Sequence, residues 1–185
     1  MNHQEALRIL KTHIKNPNLI KHSLAVEAVM KKLAEHFNKR EEKEKWALCG
    51  LLHDLDWERT QNNPQLHGLK AVEILEKQGL DKDILQAIKV HNHLLGFEPK
   101  TLMEKALYCA EELTGLITAT ALVHPQKLAG LNPESVMKKF REKSFARGVN
   151  REIIAKAPEM IGLSLEELTR LSLEAMKEIR EKLGL

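Results

Sequence analysis

Residues 46 to 52, from Trp46 through Leu51 and Leu52, are apolar on every side of a helical wheel and run directly into His53 and Asp54. A helix with no polar face is a buried helix, so other elements must enclose it. Its C-terminal end then places an imidazole and a carboxylate near the centre of the protein. A carboxylate buried without a partner costs several kcal/mol, so Asp54 needs a counter-charge or a metal ion. A His-Asp pair offers one nitrogen and one oxygen ligand to the same ion. By itself the dipeptide more often caps a helix, so the rest of the chain must supply the remaining ligands.

The surrounding segments read as helices. Asn2 to Lys15 carries Ala6, Ile9, Leu10 and Ile14 at three- and four-residue spacing. Asn16 and Pro17 form an N-cap and first-turn pair for a long helix to about Asn38, whose stripe of Leu19, Val26, Val29, Met30, Leu33 and Phe37 includes His22. Asn63-Pro64 predicts a helix start that puts His67 in the first turn, on one face with Ala71, Ile74 and Leu75. Gly79 ends that helix, and Asp81 to Leu95 predicts the next, with Ile84, Ile88, His91 and Leu95 on one side. His93 falls about 200° from His91 in that phase, so His91 is the inward one. Thr101 to about Leu122 is strongly apolar, with Glu111 at the margin of its face and Glu112 nearly opposite. After His124-Pro125 comes a basic stretch, then a last amphipathic helix from about Ser164 to Leu183, with Ser164 and Glu167 as a capping box.

Connections are short and nothing alternates with period two, so the expected fold is all-α. At 185 residues one domain is expected, with a core over about residues 16–123 and a helical part over about 124–185 packed on it. Aromatics make up only 4%, which leaves Leu, Ile, Val and Ala to fill the interior. Twenty-nine basic against 26 acidic residues give no strong electrostatic case for nucleic acid or a membrane surface. Cys49 and Cys109 have no CxxC spacing and read as core thiols. The N-terminus has no basic region followed by an apolar run, and no stretch approaches about 20 apolar residues, so the cytoplasm is the expected location.

Five predicted helices thus turn four histidines and two carboxylates inward: His22, His53, Asp54, His67, His91 and Glu111. One core histidine is ordinarily a satisfied hydrogen-bonding residue, but four beside an Asp reverse that reading. Nitrogen and oxygen donors without thiolate suit one or two divalent ions, Fe, Mn, Co, Ni or Zn, with Mg as a further option, and one carboxylate bridging two ions is the usual economy.

With its residues in this order the pattern resembles the HD-domain superfamily of metal-dependent phosphohydrolases. The resemblance is carried by IKHSLAVEAVM with His22, LLHDLDWE, LHGLKAVEIL with His67-Gly68, AIKVHNH with His91 and ALYCAEELTGLI with Glu111, over roughly Asn16 to Ala121. The ending looks like that of small stand-alone bacterial HDIG-domain proteins. The resemblance implies an HD helical bundle in which His22, His53, Asp54 and Glu111 hold a first metal, and His67 and His91 a second, with Asp54 bridging. It implies attack of a metal-activated water on phosphorus, in a small phosphomonoester or phosphodiester such as a nucleotide.

Two positions depart from the family pattern. Glu111 stands where the family has Asp, and Leu55-Asp56-Trp57 stands where Ile-Gly-Lys is common. Asp56 joins Asp54 as a candidate catalytic carboxylate, either hydrogen-bonding a ligand histidine or positioning water; the alternative is a solvated turn residue. Arg59, Lys89, Arg147 and Arg151 are the cations available to bind phosphate. HNHLLGFEP partly resembles the GYP signature of cyclic-dinucleotide phosphodiesterases through Gly96, Phe97 and Pro99, with Phe for Tyr and a residue inserted. Two other readings remain open: an HD-fold di-iron oxygenase, and a non-catalytic nucleotide-binding module.

Overall fold

The computed structural model describes all residues from Met1 to Leu185 and contains helices and no strand. The helices are α1 (His3–His13), α2 (Pro17–His36), α3 (Lys43–Leu52), α4 (Trp57–Thr60), α5 (Leu69–Glu76) and α6 (Lys82–His91). They continue as α7 (Leu102–Val123), α8 (Pro133–Arg141), α9 (Arg151–Ala155), α10 (Ala157–Ile161), α11 (Leu165–Glu178) and α12 (Arg180–Leu183), with single 3-10 turns between some of them.

α3 lies at the centre, packed on α2, α1, α6 and α7. Its closest approach is at Gly50, where a Cβ would stand 2.7 Å from the Val26 carbonyl oxygen of α2. Only a residue without a side chain lets the two backbones meet there. Asn16 caps α2 by accepting from the Asn18 amide at 2.9 Å, with Pro17 in the first turn. α7 spans the bundle and packs against α2 and α6 and against α8 to α11, and α11 also packs on α2. One core of 45 buried residues runs from Ala6 to Leu183, including Leu168, Leu171 and Met176 of α11. The C-terminal helices therefore share the interior of the first part.

Four sequence expectations are revised. α6 stops at His91, because Asn92 leaves helical geometry at ψ 100 and its side chain accepts from the Leu94 amide to start a separate 3-10 turn. His67 precedes α5: it is extended at ψ 136 and is followed by Gly68 at φ 82, so the first helical residue is Leu69. The last helix breaks at Ile179 into α11 and α12, and Ser164 caps α11 by accepting from the Glu167 amide without the reciprocal half of a capping box. Finally, α7, 22 residues long, is by length and composition apolar enough to cross a membrane, although no such stretch was expected. It is the core helix, and most of it is buried in the bundle.

Candidate metal centre

His53 still has helical geometry at the end of α3, φ −57 and ψ −38, which brings its Nδ1 to 2.8 Å from the Gly50 carbonyl oxygen. The same device recurs at the end of α6, where His91 Nδ1 faces the Ile88 carbonyl oxygen. His67 has no helix behind it, and its Nδ1 lies 2.7 Å from Asp56 Oδ1. In all three rings Nδ1 faces a fixed acceptor, which leaves Nε2 as the atom turned inward.

These Nε2 atoms converge on Asp54. Its Oδ1 is 3.2 Å from His67 Nε2, 3.4 Å from His53 Nε2 and 3.6 Å from His91 Nε2, and its Oδ2 is 3.8 Å from His22 Nε2. Two groups with metal-ligand spacing result, His22–His53–Asp54 and Asp54–His67–His91. Glu111 stands outside both and reaches the first through His22, its Oε1 3.6 Å from His22 Nε2.

The donor set fits divalent ions on two observations. His53 Nε2 is buried and has no hydrogen-bond partner, a state proteins rarely leave uncompensated. His67 Nε2 and His91 Nε2 lie 2.9 Å apart with both Nδ1 atoms already facing acceptors, so two lone pairs oppose each other unless a proton or a cation joins them. Donor atoms about 2.1 Å from one ion are separated by roughly 3.0 to 3.4 Å at octahedral and tetrahedral angles, close to the spacings found here.

Without metal, protons carry the compensating charge. Burial works against charge on both His22 and His67, but Glu111 and Asp54 raise the first, and Asp54 with Asp56 raises the second to about 10. Burial lowers His53 to about 4, so it stays neutral. Burial would raise Asp54, yet His53, His67 and His91 hold it well below the usual carboxylate range, and His22 likewise lowers Glu111. A cation entering the cluster would replace protons on groups already arranged to neutralise positive charge.

Asp56 sits behind this cluster. It is fully buried, and its oxygens accept from His67 Nδ1, the Gly68 amide at 2.9 Å and the Ala71 amide at 2.9 Å. It is not a solvated turn residue, and both of its oxygens are engaged, one of them on the ring of His67. Asn92, 5% exposed, clamps the same segment by donating to the carbonyls of Pro64 and His67. Gly68 adopts φ 82 where a Cβ would meet the Ile88 oxygen at 3.0 Å and His91 Cε1 at 3.7 Å. Trp57 packs its ring against His67 at 4.8 Å between centroids. A hydrogen bond from Asp56 to a ligand histidine is one of the roles expected from the sequence; the parts played by Asn92, Gly68 and Trp57 were not singled out there, although the Gly directly after His67 and a polar Asn directly after His91 were signals available.

The candidate phosphate-binding cations scatter. Arg59 and Arg147 are exposed, and Lys89 Nζ lies over the Phe97 ring at 4.4 Å. Arg151 directs its guanidinium to six backbone carbonyls, including Phe140 at 2.8 Å, Phe145 at 2.6 Å and Glu142 at 3.1 Å, which organises the loop between α8 and α9. That loop is tied to α7 by the Asn150 amide donating to Glu112 at 2.8 Å. Glu112, read from the sequence as opposite the inner face, is pushed up to about 7 by burial and by Glu111.

No curated protein and no solved structure matches the chain. The family model described as HD domain matches residues 19–122, more than half of the sequence and every residue of the histidine and carboxylate cluster. With His53-Asp54 inside that match, the chain belongs to the HD-domain family.

Proposed function

We propose that this protein is a metal-dependent phosphohydrolase acting on a small phosphomonoester or phosphodiester of nucleotide size. The observation that carries the reading is the sharing of Asp54 by two groups of ligand spacing, with the buried Nε2 of His53 left without a hydrogen-bond partner. His22, His53 and Asp54 would hold one divalent ion, with Glu111 beside them, and Asp54, His67 and His91 a second. Bound there, such ions supply an activated water at neutral pH and polarise phosphoryl oxygens.

The chain's own residues define the rest. Asp56 fixes His67 as the Nδ1–H tautomer and keeps its Nε2 aimed at Asp54. The most exposed members of the cluster are His22 and Glu111, with side-chain exposure of 18% and 24%, against 11% for Asp54, 8% for His67, 3% for His91 and 0% for His53. A substrate therefore approaches past His22 and Glu111, while the wall of His53 and His91 excludes water.

The test is hydrolysis of 4-nitrophenyl phosphate and of bis(4-nitrophenyl) phosphate by chelator-treated protein reloaded with Mn, Fe, Co, Ni or Zn. Turnover should depend on metal and be lost in His53→Ala and Asp54→Ala. Turnover that survives chelation, or those substitutions, contradicts the reading; ligand binding without turnover under every metal would make the chain a binding module instead.

A further inference from the structure

Two glycines lie inside α-helices, and packing accounts for only one of them. Gly50 is required, since a Cβ there would stand 2.7 Å from the Val26 carbonyl oxygen. Gly115 differs. It sits in the interior of the 22-residue α7, where glycine is the least favourable residue after proline because it gives up the most backbone freedom. Its φ is not in the left-handed region, and a Cβ there would meet, apart from its own helix backbone, only Val149 Cγ2 at 3.7 Å, an ordinary van der Waals contact. Neither backbone conformation nor packing calls for glycine, so what the missing side chain leaves is open space.

That space borders the metal cluster. By the 3.6-residue period Glu111, Gly115 and Thr118 fall within about 60° of one another around α7. Glu111 Oε1 lies 3.6 Å from His22 Nε2, and Thr118 lines one cavity together with His22. Gly115 therefore stands between two residues of α7 that both face the His22 side of α2. Helical side chains lean toward the N-terminus of their helix, so a side chain at 115 would cover the turn that carries Glu111. Val149 bounds the same space, and its neighbours fix it there. The Asn150 amide donates to Glu112 at 2.8 Å, and the Arg151 guanidinium holds the preceding loop through its carbonyls. His22 and Glu111 are also the most exposed members of the cluster, so the bare turn at Gly115 lies on the side by which a substrate enters.

We propose that Gly115 and Val149 are the specificity-determining pair of the candidate active site: the bare turn of α7 at Gly115 receives the organic group carried on the phosphorus, and Val149 limits its width. The assignment rests on the phosphohydrolase reading of the cluster. It narrows the substrate class to phosphoesters whose organic group is a ring close to the phosphorus, because a helix surface without a side chain, edged by the methyls of Val149, offers a flat apolar face rather than a narrow slot. Gly115 touches no reacting atom and acts only through the room it leaves.

Phosphonates cannot be hydrolysed at the carbon–phosphorus bond, so they separate binding from turnover. Calorimetry on Mn-loaded full-length protein compares phenylphosphonate with methylphosphonate, and thermal unfolding of the metal-free protein is measured beside it. Gly115→Ala should weaken phenylphosphonate roughly tenfold, the scale of one carbon in a closely fitting pocket, and change methylphosphonate less than about twofold. Gly115→Leu should weaken phenylphosphonate further, and adding Val149→Ala to Gly115→Ala should recover part of the loss. Gly115→Ala should at the same time raise the unfolding midpoint, since a helix interior prefers alanine, which separates loss of ligand from loss of fold. Unchanged phenylphosphonate affinity in Gly115→Ala, an equal loss for both ligands, or a lowered unfolding midpoint overturns the assignment. A parent protein that binds methylphosphonate but not phenylphosphonate overturns it as well. Failure of the metal-centre reading shows separately, as affinities for both ligands that do not respond to chelation or to His53→Ala.

Discussion

Asp56 Oδ1 lies 2.7 Å from Nδ1 of His67, and the other oxygen of the same carboxylate holds the amides of Gly68 and Ala71. One fully buried side chain thus sets the tautomer of a candidate ligand and caps the start of α5. Asp56→Ala should weaken divalent-metal affinity by roughly 10- to 100-fold, the usual effect of losing such a support. It should also destabilise the fold by about 2 to 4 kcal/mol, because two buried amides lose their acceptor. Competition titration with a chromophoric chelator and denaturant unfolding read the two effects.

Gly68, like Gly50, is a position where the backbone opposes a side chain. Its φ of 82 and the 3.0 Å approach to the Ile88 oxygen both oppose a Cβ. Gly68→Ala should cost more than about 1 kcal/mol and weaken metal binding, since His67 and His91 flank the strained point. Equal unfolding midpoints for parent and variant would contradict this.

Arg151 holds its loop through carbonyl contacts alone. Arg151→Lys keeps the charge but loses the planar fork of donors, so it should expose the loop over residues 142–149 to limited proteolysis while hydrolysis of the small nitrophenyl esters changes little. A large effect on those esters with unchanged proteolysis would return Arg151 to a substrate-binding role.

Stability of the metal-free protein should fall with rising pH through the Glu112 carboxyl. Its folded pKa, about 7, lies above the ordinary value of 4.5 because of burial and the neighbouring Glu111. The unfolded state therefore loses this proton first, and the stabilising contribution, complete below about pH 4.5, is lost as pH rises through about 7. Glu112→Gln should flatten that slope between pH 5 and pH 8 in chelator-treated samples, measured as unfolding free energy against pH.

Much of the site is legible in the sequence because His22 and Glu111 sit on long helices whose apolar spacing fixes which face turns inward, and His53-Asp54 closes an apolar helix. The structure brings His22, His53, Asp54, His67 and His91 together, with Glu111 at the edge. What periodicity hides is anything outside a helix. His67 turns inward because Gly68 takes a positive φ and Asp56 pulls on its ring, not because it shares a helical face with Ala71. The end of α6 at His91 is equally invisible to spacing, since Leu95 continues the pattern while the Asn92 side chain breaks the helix. Arg151 reads as a surface or phosphate-binding charge because its partners are backbone carbonyls, which leave no trace in residue types.

The central claim is that Asp54 joins two metal ions. Its most direct test is metal content per chain, by elemental analysis after loading and desalting, in the parent protein and in Asp54→Ala. Two ions per chain in the parent and none retained in Asp54→Ala is the predicted result. A parent that binds a single ion or none, or an Asp54→Ala protein that keeps both, would contradict it.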